Sequence, residues 1–430
     1  MIEAPADGYV SARRAIEALR SGVPNGDAVL ALGCAQPEIE AAFRAQLGAT
    51  TNGVTLETQA PGMLVSGDFG SGKSHLLEYL MLAALEQNFV CSKIVISKET
   101  PLHDPAKLYR AAIQAAVVPG KKGFALTEIA TGLNFGSDGF GSLREWANGG
   151  SSGLTSYFPA TLFLYERETD EEIRDRIVSF WSGDPLSWAT TRTWLRDHGE
   201  AVTYKLERVL ASELFAERFR FAARLMVAAG YRGWVLLVDE VELVGRYSFK
   251  QRARSYAELA RWAGRLQGQA CPGLATVFAI TSDFSTAVLR DIHNDIEVVP
   301  GKLLASGLDP DRLLASQAER GMSIIDGRDR DVKPLRLRPP DPATIDHTQR
   351  QIREIYFRAY DWAPPQLTGG ERLGTTPMRQ YVRRWINEWD LKRLYDYDAH
   401  MVVEELKMDY SEDHALEVPS ESETDQGTPD

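Results

Sequence analysis

Eight consecutive residues carry the clearest chemistry in the chain. Gly67-Asp68-Phe69-Gly70-Ser71-Gly72-Lys73-Ser74 fits the pattern GxxxxGK[ST] at every fixed position. Glycines at these positions let a tight loop turn its backbone N–H groups inward, where they meet phosphate oxygens. A helix starting at the end of the loop adds unpaired N–H groups and the positive end of its dipole. Lys73 is then placed to reach the β- and γ-phosphates of ATP, and the Ser74 hydroxyl to complete a Mg²⁺ shell. His75 follows directly and is counted with the nucleotide-binding residues.

Phosphate chemistry of this kind needs a second, acidic element. Val235-Leu236-Leu237-Val238-Asp239-Glu240 is an apolar run that ends in two acids. Asp239 is expected to hold Mg²⁺ through water. Glu240, one residue on, points differently and is expected to polarise the attacking water, so the reading is hydrolysis of ATP to ADP and phosphate. A P-loop kinase acting on a small molecule is disfavoured by the chain length and by the Asp239-Glu240 pair.

These residues need elements to hold them. PGMLVSG reads as a short strand entering the glycine-rich loop, SHLLEYLMLAALEQ as a helix, and FVCSKIVIS as the next strand. Together they form a βαβ unit, which implies a parallel sheet covered on both faces. LATVFAIT at Leu274–Thr281 is another buried strand, and Val332–Arg338 is a strand stopped by two prolines. Ala343–Tyr360 and Thr375–Leu394 keep helical spacing. Four regions are predicted: a helical segment over 1–50, an ATPase core over 51–342, a helical domain over 343–408 and an acidic, disordered tail over 409–430. Lys73 and Asp239 are 166 residues apart, so the core carries a long insertion at about 119–203. Its first part, from Pro119 to Gly153, is dense in Gly and Ser and is predicted as turns and mobile loops.

Composition bounds the rest. The chain has 430 residues, 44% hydrophobic and 25% charged, which excludes collagen-like repeats, wholesale disorder and small disulfide scaffolds. The net charge of −12 is concentrated in the last 22 residues, which hold eight acids and no Lys or Arg. Cys34, Cys91 and Cys271 lie far apart with no CxxC spacing. That argues against zinc and fits a reducing cytoplasm. Neither a signal-peptide core nor an apolar run of the ~18–20 residues needed to span a membrane is present. The seven histidines show no metal-binding spacing.

With glycine-rich loop, acidic strand and polar strand end in this order, the chain resembles the AAA+ class, nearest its initiator-type (ORC/Cdc6-like) and STAND-like branches. SARRAIEALRSGVPNGDAV, GDFGSGKSHLLEYL and TPMRQYVRRWINEWDL more narrowly resemble the BrxD-like ATP-binding proteins of bacterial BREX phage-defence loci, over about residues 9–400. The resemblance implies a three-layer P-loop NTPase core with a small helical lid. In that class the strand beside the acidic one ends in a polar residue near the γ-phosphate, a role that falls to Ser282 or Thr281. The lid implies a sensor arginine, by position Arg379, and oligomers imply an arginine finger, with Arg320, Arg328 and Arg330 as candidates. The resemblance also implies a homo-oligomer working beside a helicase or other defence proteins as a DNA-linked motor or loader. The alternative is a nucleotide-gated switch or scaffold with slow hydrolysis. DNA contact is one reading of the segment Arg246–Arg265, where six cations face one acid and four aromatics interleave; a solvated helix face or a subunit interface is the other. A second basic run holds Arg379, Arg383, Arg384, Lys392 and Arg393.

Overall fold

The computed structural model describes residues 8–207, 209, 211–366, 378–398, 409–413 and 416. Helix α1 (Gly8–Ser21) buries Ala12, Ala15, Ile16 and Leu19 on one stripe. Helix α2 (Gly26–Leu32) starts where the Asn25 side chain accepts from the Ala28 N–H. Helix α3 (Pro37–Leu56) has proline in its first turn, where no N–H is needed. Strand β1 (Met63–Ser66) leads through the glycine loop into α4 (Lys73–Glu86), followed by β2 (Val90–Val95), α5 (Pro105–Gln114) and the two-residue β3 (Ala116–Val117).

Five helices then fill the insertion: α6 (Ala125–Thr131), α7 (Asp138–Asn148), α8 (Tyr157–Arg167), α9 (Glu171–Ser182) and α10 (Trp188–Asp197). The expectation of loops over 119–153 is therefore corrected, since α6 and α7 lie within it. Ser137 caps α7 by accepting from the Phe140 N–H, and Phe140, Leu143 and Ala147 recur on its buried face. The glycines that suggested a loop are accommodated within the helix: a Cβ on Gly139 would meet Ala228 at an ordinary 3.4 Å, and one on Gly141 would meet open space.

Helix α11 (Ala211–Ala228), strand β4 (Trp234–Asp239), helix α12 (Phe249–Trp262) and strand β5 (Leu274–Ile280) follow. A single turn α13 (Phe284–Thr286), α14 (Asp295–Ala305), α15 (Asp309–Ile325), β6 (Pro334–Arg336), α16 (Pro342–Tyr360) and α17 (Met378–Tyr395) complete the order.

The sheet order is β3-β2-β4-β5-β1-β6. Every pairing is parallel except β2 with β3, so the sheet is mixed, with one short antiparallel edge. Alternate side chains feed two cores. Val65, Leu237 and Val277 face Leu76, Leu80 of α4 and Phe43 of α3. Leu64, Leu236 and Phe278 face the large core built with α5, α11, α12 and the insertion. A third cluster joins α1 to α16 and α17 through Ile16, Ile355, Ile386 and Trp389, so the start of the described chain packs with its C-terminal helices.

Register decides what meets at the site. Ser66 pairs with Ile280, and Val238 with Phe278. The C-terminal ends of β1, β4 and β5 therefore share one edge, the place where open parallel sheets carry their ligands. The acidic tail begins there too. Tyr410 is 2% exposed against this edge, which corrects the disorder expected from residue 409 onward for 409–413; residues 417–430 lie outside the described residues.

Candidate functional site

The loop after β1 is built around its glycines. Gly70 (φ 75°) and Gly72 (φ 105°) adopt left-handed conformations that side chains resist. A Cβ on Gly67 would fall 2.6 Å from Ser71 Oγ. Helix α4 has Gly72 at its cap and no side-chain bond to its first N–H groups, so those donors are open to an anion.

Lys73 is 7% exposed and folds back along the loop. Its Nζ donates to the Gly67 carbonyl at 3.1 Å and lies 3.5 Å from Glu242 Oε1. Glu242 is 4% exposed, and burial raises its carboxyl above the ordinary range although Lys73 pulls it down. Glu242 Oε2, Ser66 Oγ and Ser71 Oγ are buried with no hydrogen-bond partner in the protein. Unpartnered buried polar atoms in the loop, at the end of β1 and on Glu242 leave hydrogen-bonding capacity for a polar ligand.

Asp239 ends β4, buried, with Oδ1 accepting from the Glu240 N–H at 3.0 Å. Glu240 sits in the left-handed region at φ 57° and ψ 37°, a strain of about 1–2 kcal/mol for a non-glycine residue. Its carboxyl is raised, first by burial and then by the Asp239 charge, against the pull of Lys73 and Arg379. The strand end after β5 splits its two hydroxyls. Ser282 Oγ donates to Asp68 of the loop, whereas Thr281 Oγ1 pairs with Tyr410 at 2.7 Å. Ser282 is thus the one that touches the loop.

Arg379, in the first turn of α17, reaches the same loop. Its backbone N–H donates to the Gly70 carbonyl at 3.2 Å, and its guanidinium lies 5.4 Å from the Phe69 ring centre. Beside it a cavity of about 320 Å³ opens between α1, the residues 33–36 after α2, the loop and the start of α17. Gly72, Ser74, His75 and Arg379 line it. The His75 Nε2 donates to the Gly33 carbonyl at 2.9 Å, and burial lowers the pKa of the ring. A cavity of this size suits a small organic group such as a nucleoside.

The structure does not gather every expected residue. Arg328 is paired with Asp326 at 2.6 Å and Arg320 with Asp329 at 4.0 Å, while Arg330 is exposed on the same stretch. The Arg246–Arg265 segment is not an open basic strip. Arg252, 3% exposed, is locked to Asp295 at 2.8 Å, Arg246 to Asp413 at 2.6 Å, Arg261 to Glu258 at 3.1 Å and Arg265 to Asp329 at 3.1 Å. Tyr247, Tyr256 and Trp262 are core residues. Lys250 alone of the six cations is largely exposed. Two site residues were missed. Glu242 lay in view in the run Val-Asp-Glu-Val-Glu at and after the end of β4, but only the fold brings it to Lys73. Tyr410 had no signal in its acidic surroundings.

Among the described residues no helix is long and apolar enough to cross a membrane, and no three or more His, Cys, Asp or Glu side chains gather as a metal site. No curated protein and no solved structure matches the chain. The family model of the BREX system ATP-binding proteins BrxC/D matches residues 10–133 and 166–294. Those two stretches contain the glycine loop, Asp239, Glu240, Glu242 and Ser282, and leave out part of the helical insertion and the helix that carries Arg379. Matched over more than half its length, with the loop and the acidic strand both inside the match, the chain belongs to the BREX system ATP-binding protein BrxC/D family.

Proposed function

We propose that the chain is an AAA+-like P-loop ATPase that works in BREX phage defence, binding ATP at residues 67–75 and hydrolysing it to ADP and phosphate. The observation that carries this reading is the buried Lys73, a cation held 3.5 Å from an acid of the turn that follows Asp239, at the uncapped start of α4. The strand order supports it, since β5 lies between the loop strand β1 and the acidic strand β4. Lys73 exchanges the Gly67 carbonyl and Glu242 for phosphate oxygens, and the open N–H groups of α4 take the rest of that charge. Glu240 accepts the proton of the attacking water, and its raised carboxyl suits it to hold that proton. Ser282, bonded to Asp68, and Arg379, bonded to Gly70, orient the terminal phosphate from their contacts with the loop.

Mg²⁺ fits this donor set, because Ser74 at the start of α4 and Asp239 at the end of β4 offer hard oxygen donors and would hold the ion with the help of the nucleotide. Bound there, it would neutralise charge building on the phosphates. The proposal extends to a cytoplasmic homo-oligomer that acts on DNA as a motor or loader beside helicase or other defence partners. The second reading, a slowly hydrolysing switch, is favoured by the Lys73–Glu242 pair, which ATP must break before it binds. Turnover with and without DNA separates the two: a motor is stimulated and a switch is not. The ATPase reading itself is tested with Glu240→Gln, which should bind ATP like the wild type and hydrolyse it at least about a hundredfold more slowly. Equal turnover would remove Glu240 from its role.

A further inference from the structure

We infer that Tyr410 is a positioning residue for the strand-end turn Thr281–Asp283, and that residues 409–413 clasp this turn against the glycine loop. Tyr410 comes from far along the chain, yet it is 2% exposed beside β5. Its hydroxyl donates to Asp283 Oδ1 at 2.9 Å. A tyrosine has one proton to give, so the bond to Thr281 at 2.7 Å must use the Thr281 hydroxyl as donor. The result is a directed chain, Thr281 to Tyr410 to Asp283, that brackets Ser282 on both sides. Ser282 in turn donates to Asp68 of the loop.

The rest of the segment is anchored independently. The Tyr410 and Gly245 carbonyls both face His293 Nε2, at 3.0 and 2.9 Å, so that nitrogen carries the proton. The Asp413 N–H donates to the Arg246 carbonyl at 3.0 Å, its carboxylate pairs with the Arg246 guanidinium, and Glu412 pairs with Arg252 at 2.6 Å. The turn after β4 leaves room for the ring: a Cβ on Gly245 would lie 2.9 Å from Tyr410 Cδ1. The clasp therefore grips both strand ends that flank the phosphate site, the turn after β4 through Gly245 and Arg246 and the turn after β5 through Thr281 and Asp283. Losing the hydroxyl should loosen Ser282 and leave Lys73 and the open α4 donors in place. Turnover should suffer, and nucleotide binding should not.

The turnover arm rests on the proposed ATPase reading; the exchange arm does not. Amide hydrogen exchange over 281–286 is compared in the wild type, in Tyr410→Phe and in a chain ending at residue 408, alongside ATP turnover and the affinity of a non-hydrolysable ATP analogue. Tyr410→Phe keeps the ring, so the fold should hold. Exchange at 281–286 should rise about tenfold and kcat should fall about tenfold, with analogue affinity within about twofold of the wild type. The truncated chain should show the same split. A wild type that binds the analogue and never turns over ATP would overturn the ATPase reading, and exchange alone would still decide the clasp. Unchanged exchange at 281–286 in both variants would overturn the clasp. So would kcat and analogue affinity that fall together, because that result describes general loosening and no positioning.

Discussion

Lys73 and Glu242 form the buried ion pair of the proposed ATP site. The carboxylate occupies the cation that ATP needs, so Glu242→Gln should free Lys73 and tighten ATP binding by about fivefold, near 1 kcal/mol. Titration of a fluorescent ATP analogue measures this, and weaker binding would place Glu242 among the groups that hold the ligand. The same pair has a pH signature. Burial, with Asp239 and Glu240 adding to it, holds the Glu242 carboxyl above its ordinary 4.5 against the pull of Lys73. A carboxyl raised in the folded state contributes stability below its unfolded value and loses it as pH rises through the folded value. Glu242→Gln should therefore match the wild type in urea melts at about pH 4 and exceed it at about pH 8, and equal stability at both would contradict the raised carboxyl. At this scale the sequence was legible where a residue type has one use. A loop of fixed glycines with Lys73, and an apolar strand ending in Asp239-Glu240, could be read directly. Glu242 was in view and lacked a rule, because a fourth position in an acidic turn gains meaning only when α4 brings Lys73 to 3.5 Å.

Elements were legible where one periodicity ran uninterrupted. The buried strands β1, β4 and β5 were read as such because their burial is continuous. Helix α7 was not, because its glycines imitate a loop, while the Ser137 cap and the apolar stripe Phe140, Leu143 and Ala147 carry the helix. Helix α12 misled in the opposite direction. Its cations and aromatics looked like a surface for DNA, and sequence alone does not show that Asp295, Asp329, Glu412 and Asp413 come from distant segments to neutralise them. A single exchange separates the two accounts. Arg252→Ala would leave Asp295 buried beside Tyr256 without its guanidinium, and should destabilise the fold by about 3–5 kcal/mol. Lys250→Ala should change stability by less than about 0.5 kcal/mol. Thermal melts of the two variants check this, and a neutral Arg252→Ala would restore the open-surface reading.

The whole molecule brings distant parts of the sequence to one edge of the sheet. Helices α1 and α2 from the start, α17 from near the end, and residues 409–413 beyond it all meet around the ends of β1, β4 and β5. On the proposed reading, nucleotide in this cavity would couple its state to the helices that wall it. If the site also lies between subunits, ATP should raise the solution mass of Glu240→Gln, read by light scattering, and an unchanged monomer would favour the switch. The central claim is that this shared cavity and the loop form one ATP site, and equilibrium binding of ATP tests it most directly. The wild type should bind stoichiometrically, one ATP per chain. Lys73→Ala should weaken binding at least about a hundredfold, and Arg379→Ala, on α17, about tenfold. Wild-type affinity in Lys73→Ala, or no binding by the wild type at all, would contradict the account.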